Sequence, residues 1–196
     1  MCRFNIQKFL LPLDNSLFTR IRPLIYGPRE MVKPHLHLCI ARGEDVHYLK
    51  RFGLDHVWGK IYFISLHIWL VNRRFHANRN RIRKIVIWDM LWEYIRYLMF
   101  NIEVREGNFG KTLKKVQEQV YGLSLALDQS LDTCQLEAEQ LAAMKYALWV
   151  FLYNMDKQME YSNALMNVTM YVMDMNNFIA LLPKEEFKQG AFIWPH

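Results

Sequence analysis

Residues 82–102 read IRKIVIWDMLWEYIRYLMFNI. The apolar positions Ile82, Ile85, Trp88, Trp92, Ile95, Met99 and Ile102 follow one another in steps of three and four. That repeat lines side chains along one stripe of an α-helix, whereas a strand alternates its faces every residue. The same period extends outward in both directions. Upstream, Val57 to Phe75 is predicted as a long helix around the most apolar run of the chain, Ile61 to Val71. Downstream, Leu113, Val116, Val120, Leu123 and Leu127 predict a third helix, and Leu141, Met144, Leu148 and Phe151 a fourth. Asp132 with Gln135 three residues on has the form of a capping box for that fourth helix. Leu165, Val168, Val172, Met175, Ile179 and Leu182 predict a fifth, closed by Pro183. Asn78, Asn80 and the run Gly107-Asn108-Phe109-Gly110 punctuate the series. Only His35 to Ile40 has any strand-like alternation. Stripes that cover one face each must be buried against one another, so the expected fold is all-α, a compact bundle of about five helices.

The chain divides on this reading into residues 1–43, an irregular N-terminal arm, and residues 44–196, the helical domain. The arm carries Arg3, Lys8, Arg20, Arg22, Arg29 and Lys33 against Asp14 and Glu30, the bias of a mitochondrial presequence. Pro12, Pro23 and Pro28 break the helix such a presequence would form, and serine is scarce. The expectation is a retained arm, with apolar clusters such as Phe9, Leu10, Leu11 and Leu13 lying across a partner or across the domain.

Hydrophobic residues make up 52% of the 196, which excludes a largely disordered chain. Glycine and proline number only 8 and 6, so long helices are permitted. The net charge of +6 favours anionic partners, whether nucleic acid, a ribosomal surface or lipid headgroups, without choosing among them. Cys2, Cys39 and Cys134 are too few and too far apart for a disulfide framework. No stretch supplies the roughly 20 apolar residues of a membrane-spanning helix, so no transmembrane segment is expected. Of the 11 methionines, Met166, Met170 and Met173 fall off the main stripe of the last helix. Burial in the bundle is the plainer account of them, and a second apolar face for a partner the sharper one.

No phosphate-binding, nucleophile or zinc-protease motif is present, and neither a catalytic residue nor a cofactor is expected. His35, His37 and Cys39 would share a face if extended, but no second ligand cluster accompanies them. Glu44 and His47 form a single pair where a di-metal bundle needs two. Asp89 and Glu93, one turn apart, read as offsets to nearby cations. His67, inside the most apolar helix, reads as a buried histidine satisfied by a hydrogen bond. The strongest signal is a basic stretch of Arg73, Arg74, Arg79, Arg81, Arg83 and Lys84, with no acid from Val57 to Ile87. It is either an anion-binding surface for RNA or lipid phosphates or a solvated loop between helices.

Several short motifs, in order, resemble the ubiquinol–cytochrome c chaperone family over about residues 45–194. They are Ile64-Ser65-Leu66-His67-Ile68-Trp69-Leu70 followed by Arg73, then Leu91-Trp92-Glu93. Phe109-Gly110-Lys111, Lys114-Lys115-Val116 and Val120-Tyr121-Gly122 come next, with Asp128 seven residues after Tyr121. Tyr146-Ala147-Leu148-Trp149 with Tyr153-Asn154, Tyr171-Val172 and the closing Gly190 to Trp194 complete the set. The chain departs from the family pattern where Asn78, Arg79 and Asn80 replace a glycine-containing loop. The resemblance implies a non-catalytic helical chaperone, peripheral on the matrix side of the mitochondrial inner membrane. It implies binding of newly made cytochrome b, a small partner chaperone, and contact with the membrane or the mitochondrial ribosome. The competing expectation is a family member retained as a permanent subunit of a respiratory complex. The motif residues His67, Trp69, Trp92, Tyr121, Asp128 and Trp149 are expected to serve packing and internal hydrogen bonds before client contact.

Overall fold

The computed structural model describes residues 15–102 and 104–195, without the side chains of 15–26 and 106. The described chain forms eight helices: α1 (Asn15–Gly43), α2 (Val46–Arg51), α3 (Val57–Ala77), α4 (Arg81–Asn101), α5 (Glu106–Thr133), α6 (Glu137–Phe151), α7 (Asn163–Leu181) and α8 (Lys184–Gln189). No strand occurs among the described residues. The all-α expectation holds, with three helices more than the stripes alone predict.

Helix α3 is the axis of the molecule. Every residue from Phe63 to Val71 is buried, as befits a helix that is apolar around its whole circumference. Helices α1 and α4 pack on it and on each other, α5 and α7 also touch it, and α6 closes the ring between α5 and α7. Side chains cap the starts of the main helices. His56 Nδ1 accepts from Gly59 N at 3.0 Å, Asn80 Oδ1 from Arg83 N at 3.2 Å, and Ser162 Oγ from Leu165 N at 3.1 Å. The C-terminal strap folds back over the axis. Phe192 and Trp194 are buried, and Trp194 Nε1 donates to the Leu38 carbonyl at 3.1 Å.

The irregular arm is corrected from residue 15 onward: residues 15–43 are helical in spite of Pro23, Pro28 and Pro34. Each proline removes one intrahelical bond, but the helix is held from outside by its packing on α3 and α4. Its inner stripe is Val32, His35, Leu36, Cys39, Arg42 and Gly43, all buried. The strand-like alternation at His35 to Ile40 is likewise helical. His35 and Cys39 face inward and His37 outward, so the three do not share a face. The apolar cluster Phe9 to Leu13 lies outside the described residues.

Three local expectations also shift. Gly107 to Gly110 does not interrupt the chain but lies in the first turns of α5. Asp132 does not cap α6, because its carboxylate is taken by Arg73 at 2.6 Å while still inside α5. In α4 the buried residues are Arg83, Ile87, Leu91, Trp92, Ile95 and Met99, whereas Ile82 and Ile85 are 59% and 56% exposed. Three-residue steps fall short of the 3.6-residue turn, so the predicted stripe winds off the inner face toward its N-terminal end. The stripes of α5 and α7 keep their inner face from Val116 to Leu127 and from Leu165 to Ile179. Met166 and Met170 are exposed, so burial in the bundle is not their role, whereas Met173 is half-buried and packs against the core.

Candidate functional site

The six motif residues do not gather on one surface. Five of them make polar ties between helices, and Trp149 ties its helix to the connection that follows. His67 on α3 lies wholly buried. Its Nδ1–H donates to the Phe63 carbonyl at 2.8 Å, which leaves Nε2 to accept from the Tyr171 hydroxyl of α7 at 2.6 Å. Burial is the main force on its titration and lowers its pKa to about 3, against the pull of the Phe63 carbonyl. The imidazole is therefore neutral at physiological pH and acts as a hydrogen-bonding joint between α3 and α7. Trp69 Nε1 donates to Asp128 of α5 at 3.0 Å, and Arg73 reaches the same carboxylate oxygen at 2.9 Å. Trp92 of α4 donates to the Tyr121 hydroxyl of α5 at 2.7 Å.

Trp149 ties the end of α6 to the connection that follows it. Its Nε1 donates to the Asp156 carbonyl at 2.9 Å, and Tyr153 OH donates to the Phe52 carbonyl at 2.6 Å. Between them Asn154 and Met155 both take left-handed backbone, with φ of 53° and 57°. The Tyr153 bond fastens the connection to the α2 end and the Trp149 bond fixes its path, and a groove of about 830 Å³ lies between the start of α3, α5 and the α6–α7 connection. Val116 and Leu152 form its floor. Trp58, Tyr62, Phe151 and Met159 also line it, together with Lys111, Lys115, Gln119 and Asp156. Gly122 permits the close approach of Phe151, because a β-carbon there would sit 2.4 Å from the ring. The groove joins large apolar surfaces to polar groups, the composition of a site for an apolar or amphipathic segment. Sequence reasoning missed it, since Trp58 and Tyr62 on α3, Phe151 at the end of α6 and Met159 in the connection after it are brought together only by tertiary packing. Gly122 beside Tyr121 and the one-turn spacing of Trp58 and Tyr62 are the local signals in the sequence.

The basic stretch separates into two groups. Arg73 is bound by Asp128 and Asp132. Arg74 donates to the Leu182 carbonyl at 3.0 Å, and the buried Arg83 donates to the Lys188 carbonyl at 2.9 Å. These three serve the interior. Arg79 and Arg81 are exposed and Lys84 half-buried, all on the α3–α4 turn.

The family model for the ubiquinol-cytochrome C chaperone matches residues 52–194. The chain belongs to the ubiquinol-cytochrome C chaperone family. All six motif residues and every groove-lining residue fall within the matched range. The crystal structure of the Cbp3 homolog from Brucella abortus shares the fold, with a TM-score of 0.70 at 17% identity over 92% of this chain and 97% of that one. No curated protein sequence matches the chain. Helix α1 and α2 lie ahead of the family match, yet Val32, Leu36, Tyr48 and Leu49 contribute to the same core as the matched helices. No described helix is long and apolar enough to cross a membrane.

Proposed function

We propose that this chain is a non-catalytic assembly chaperone that binds newly made cytochrome b during construction of ubiquinol–cytochrome c reductase. It works on the matrix side of the mitochondrial inner membrane as a peripheral protein, beside a small partner chaperone. The family membership supplies the class of activity. The observation that carries the mechanism is the groove between α3, α5 and the α6–α7 connection, an open channel lined by Trp58, Tyr62, Phe151 and Met159. An unassembled membrane helix exposes apolar side chains that water penalises by about 25 cal/mol per Å². Aromatic and methionine side chains cover such a segment with large area and adaptable shape. The polar ties of His67, Trp69, Trp92 and Trp149 keep the helices that carry these side chains at fixed separation.

The test follows tagged protein and pulse-labelled mitochondrial translation products together on native gels after mild detergent extraction. The tag is expected to travel with newly made cytochrome b and to be missing from the mature reductase. Trp58→Glu with Met159→Glu is expected to abolish that co-migration while leaving the helical circular dichroism unchanged. A tag that stays in the mature complex at fixed stoichiometry overturns the chaperone reading in favour of a permanent subunit.

A further inference from the structure

The α3–α4 turn combines features that the interior of the fold does not use. Arg79, Arg81 and Lys84 remain after Arg73, Arg74 and Arg83 have been taken by internal partners. Beside them, Ile82 and Ile85 are more than half exposed. No acidic residue occurs between Asp55 and Asp89, and α4 has none in its first turn to offset the positive end of its dipole. Lys84 Nζ donates to His76 Nδ1 at 3.0 Å, which holds the ammonium against the turn. The cations, His76 and Ile85 line an open hollow of about 760 Å³.

The backbone of the turn is strained in favour of this arrangement. Arg79 has φ of 54°, a left-handed conformation that glycine adopts freely and other residues adopt at a cost. Arg79 N–H donates to the His76 carbonyl at 2.9 Å and Asn80 N–H to the Phe75 carbonyl at 2.9 Å. This pair of bonds is a helix ending that normally selects glycine at the position Arg79 occupies. An arginine held there against local stability points to a role for its charge.

We propose that the α3–α4 turn is a docking tip for a bilayer rich in anionic phospholipid. Arg79, Arg81 and Lys84 engage headgroup phosphates, and Ile82 and Ile85 enter the interfacial layer. Charge complementarity selects the anionic surface, and the paired isoleucines distinguish a bilayer from a nucleic acid. RNA contact relies on exposed rings for stacking; here Phe75 is buried, the exposed His76 is engaged by Lys84, and the large exposed apolar groups at the tip are aliphatic. The tip gives the peripheral attachment proposed above its contact surface, and it does not depend on what the groove holds.

The purified full-length protein, without client, is tested by co-sedimentation with phosphatidylcholine vesicles, with and without cardiolipin. Binding is expected only with cardiolipin present, and it should weaken as salt is raised. Exchanging Arg79, Arg81 and Lys84 together for glutamine is expected to lower the partition coefficient roughly a hundredfold. Ile82→Ser with Ile85→Ser is expected to lower it roughly tenfold while keeping the salt dependence. Arg79→Gly is the decisive variant, because it should raise the thermal midpoint while lowering binding, a combination that misfolding does not produce. Equal binding to vesicles without cardiolipin overturns the proposal, as does undiminished binding by the triple variant. Competition by inorganic phosphate or single-stranded RNA with no effect of the isoleucine variants also overturns it, and assigns the turn to a small anion or to RNA. Loss of vesicle binding with retained cytochrome b co-migration would separate this tip from the chaperone function.

Discussion

His67 shows how one side chain joins chemistry to architecture. Its ring links the carbonyl of its own helix to the Tyr171 hydroxyl of α7, and it does so only when neutral. The folded-state pKa of about 3 lies below the ordinary 6.5. Between those values the unfolded chain binds a proton that the native chain does not, so stability is full above about pH 6.5 and falls as pH is lowered toward 3. The slope for one such group approaches about 1.4 kcal/mol per pH unit. His35 is shifted in the same direction, chiefly by burial, and adds to the trend. His67→Gln removes one of the two titrations. Urea unfolding at a series of pH values between 4 and 7 is expected to show a shallower dependence for the variant by up to that slope. Parallel curves would mean that His67 takes up its proton without unfolding. A histidine in an apolar run is legible as buried from sequence alone. That its second partner is Tyr171, 104 residues away, is not.

At the scale of elements, the stripes in α5 and α7 were readable because their apolar residues recur at the helical period and meet neighbours of similar kind. Helix α1 escaped the same reading. Its inner stripe includes His35, Arg42 and Gly43 beside Val32, Leu36 and Cys39, so half of it does not register as apolar. The polar members reach distant carbonyls: His35 donates to Phe187 at 2.6 Å, and Arg42 donates to Pro195. Gly43 lies where α1 closely approaches α3. A β-carbon at Gly43 would lie 2.1 Å from Ile64 Cγ1 and 3.0 Å from its Cα, so the backbone as well as the side chain obstructs it. Gly43→Ala is expected to destabilise the protein by about 1–3 kcal/mol, although alanine is the better helix former. The measurement is the urea midpoint, and a neutral or stabilising result would show that the α1–α3 contact gives way easily. The α3–α4 turn runs the other way: relief of the left-handed Arg79 by glycine is worth roughly 1–2 kcal/mol of stability.

For the whole molecule, the helices share one core built around α3, which touches α1, α2, α4, α5 and α7. Tryptophans report on several parts of that core, with Trp69 on α3, Trp92 on α4, Trp149 on α6 and Trp194 in the C-terminal strap. Chemical unfolding followed by far-ultraviolet circular dichroism and by tryptophan fluorescence is therefore expected to give coincident single transitions. A helical signal persisting beyond the fluorescence change would show that part of the helical structure is stable without the core. The sequence by itself determined that the chain is helical, where its long central and C-terminal helices run, and which family it resembles. Those properties lie in the local period of apolar residues and in the order of short motifs. Only the tertiary structure decided which groups face inward. Ile82 and Ile85 remain in solvent while Arg83 is buried, because the guanidinium finds the Lys188 carbonyl 105 residues away and the isoleucines find no neighbour helix. The groove was decided in the same way, since its walls come from separate elements whose relative placement the polar ties of Trp149 and Tyr153 help to fix. Burial belongs to a pair of surfaces, and periodicity within one helix describes only one of them.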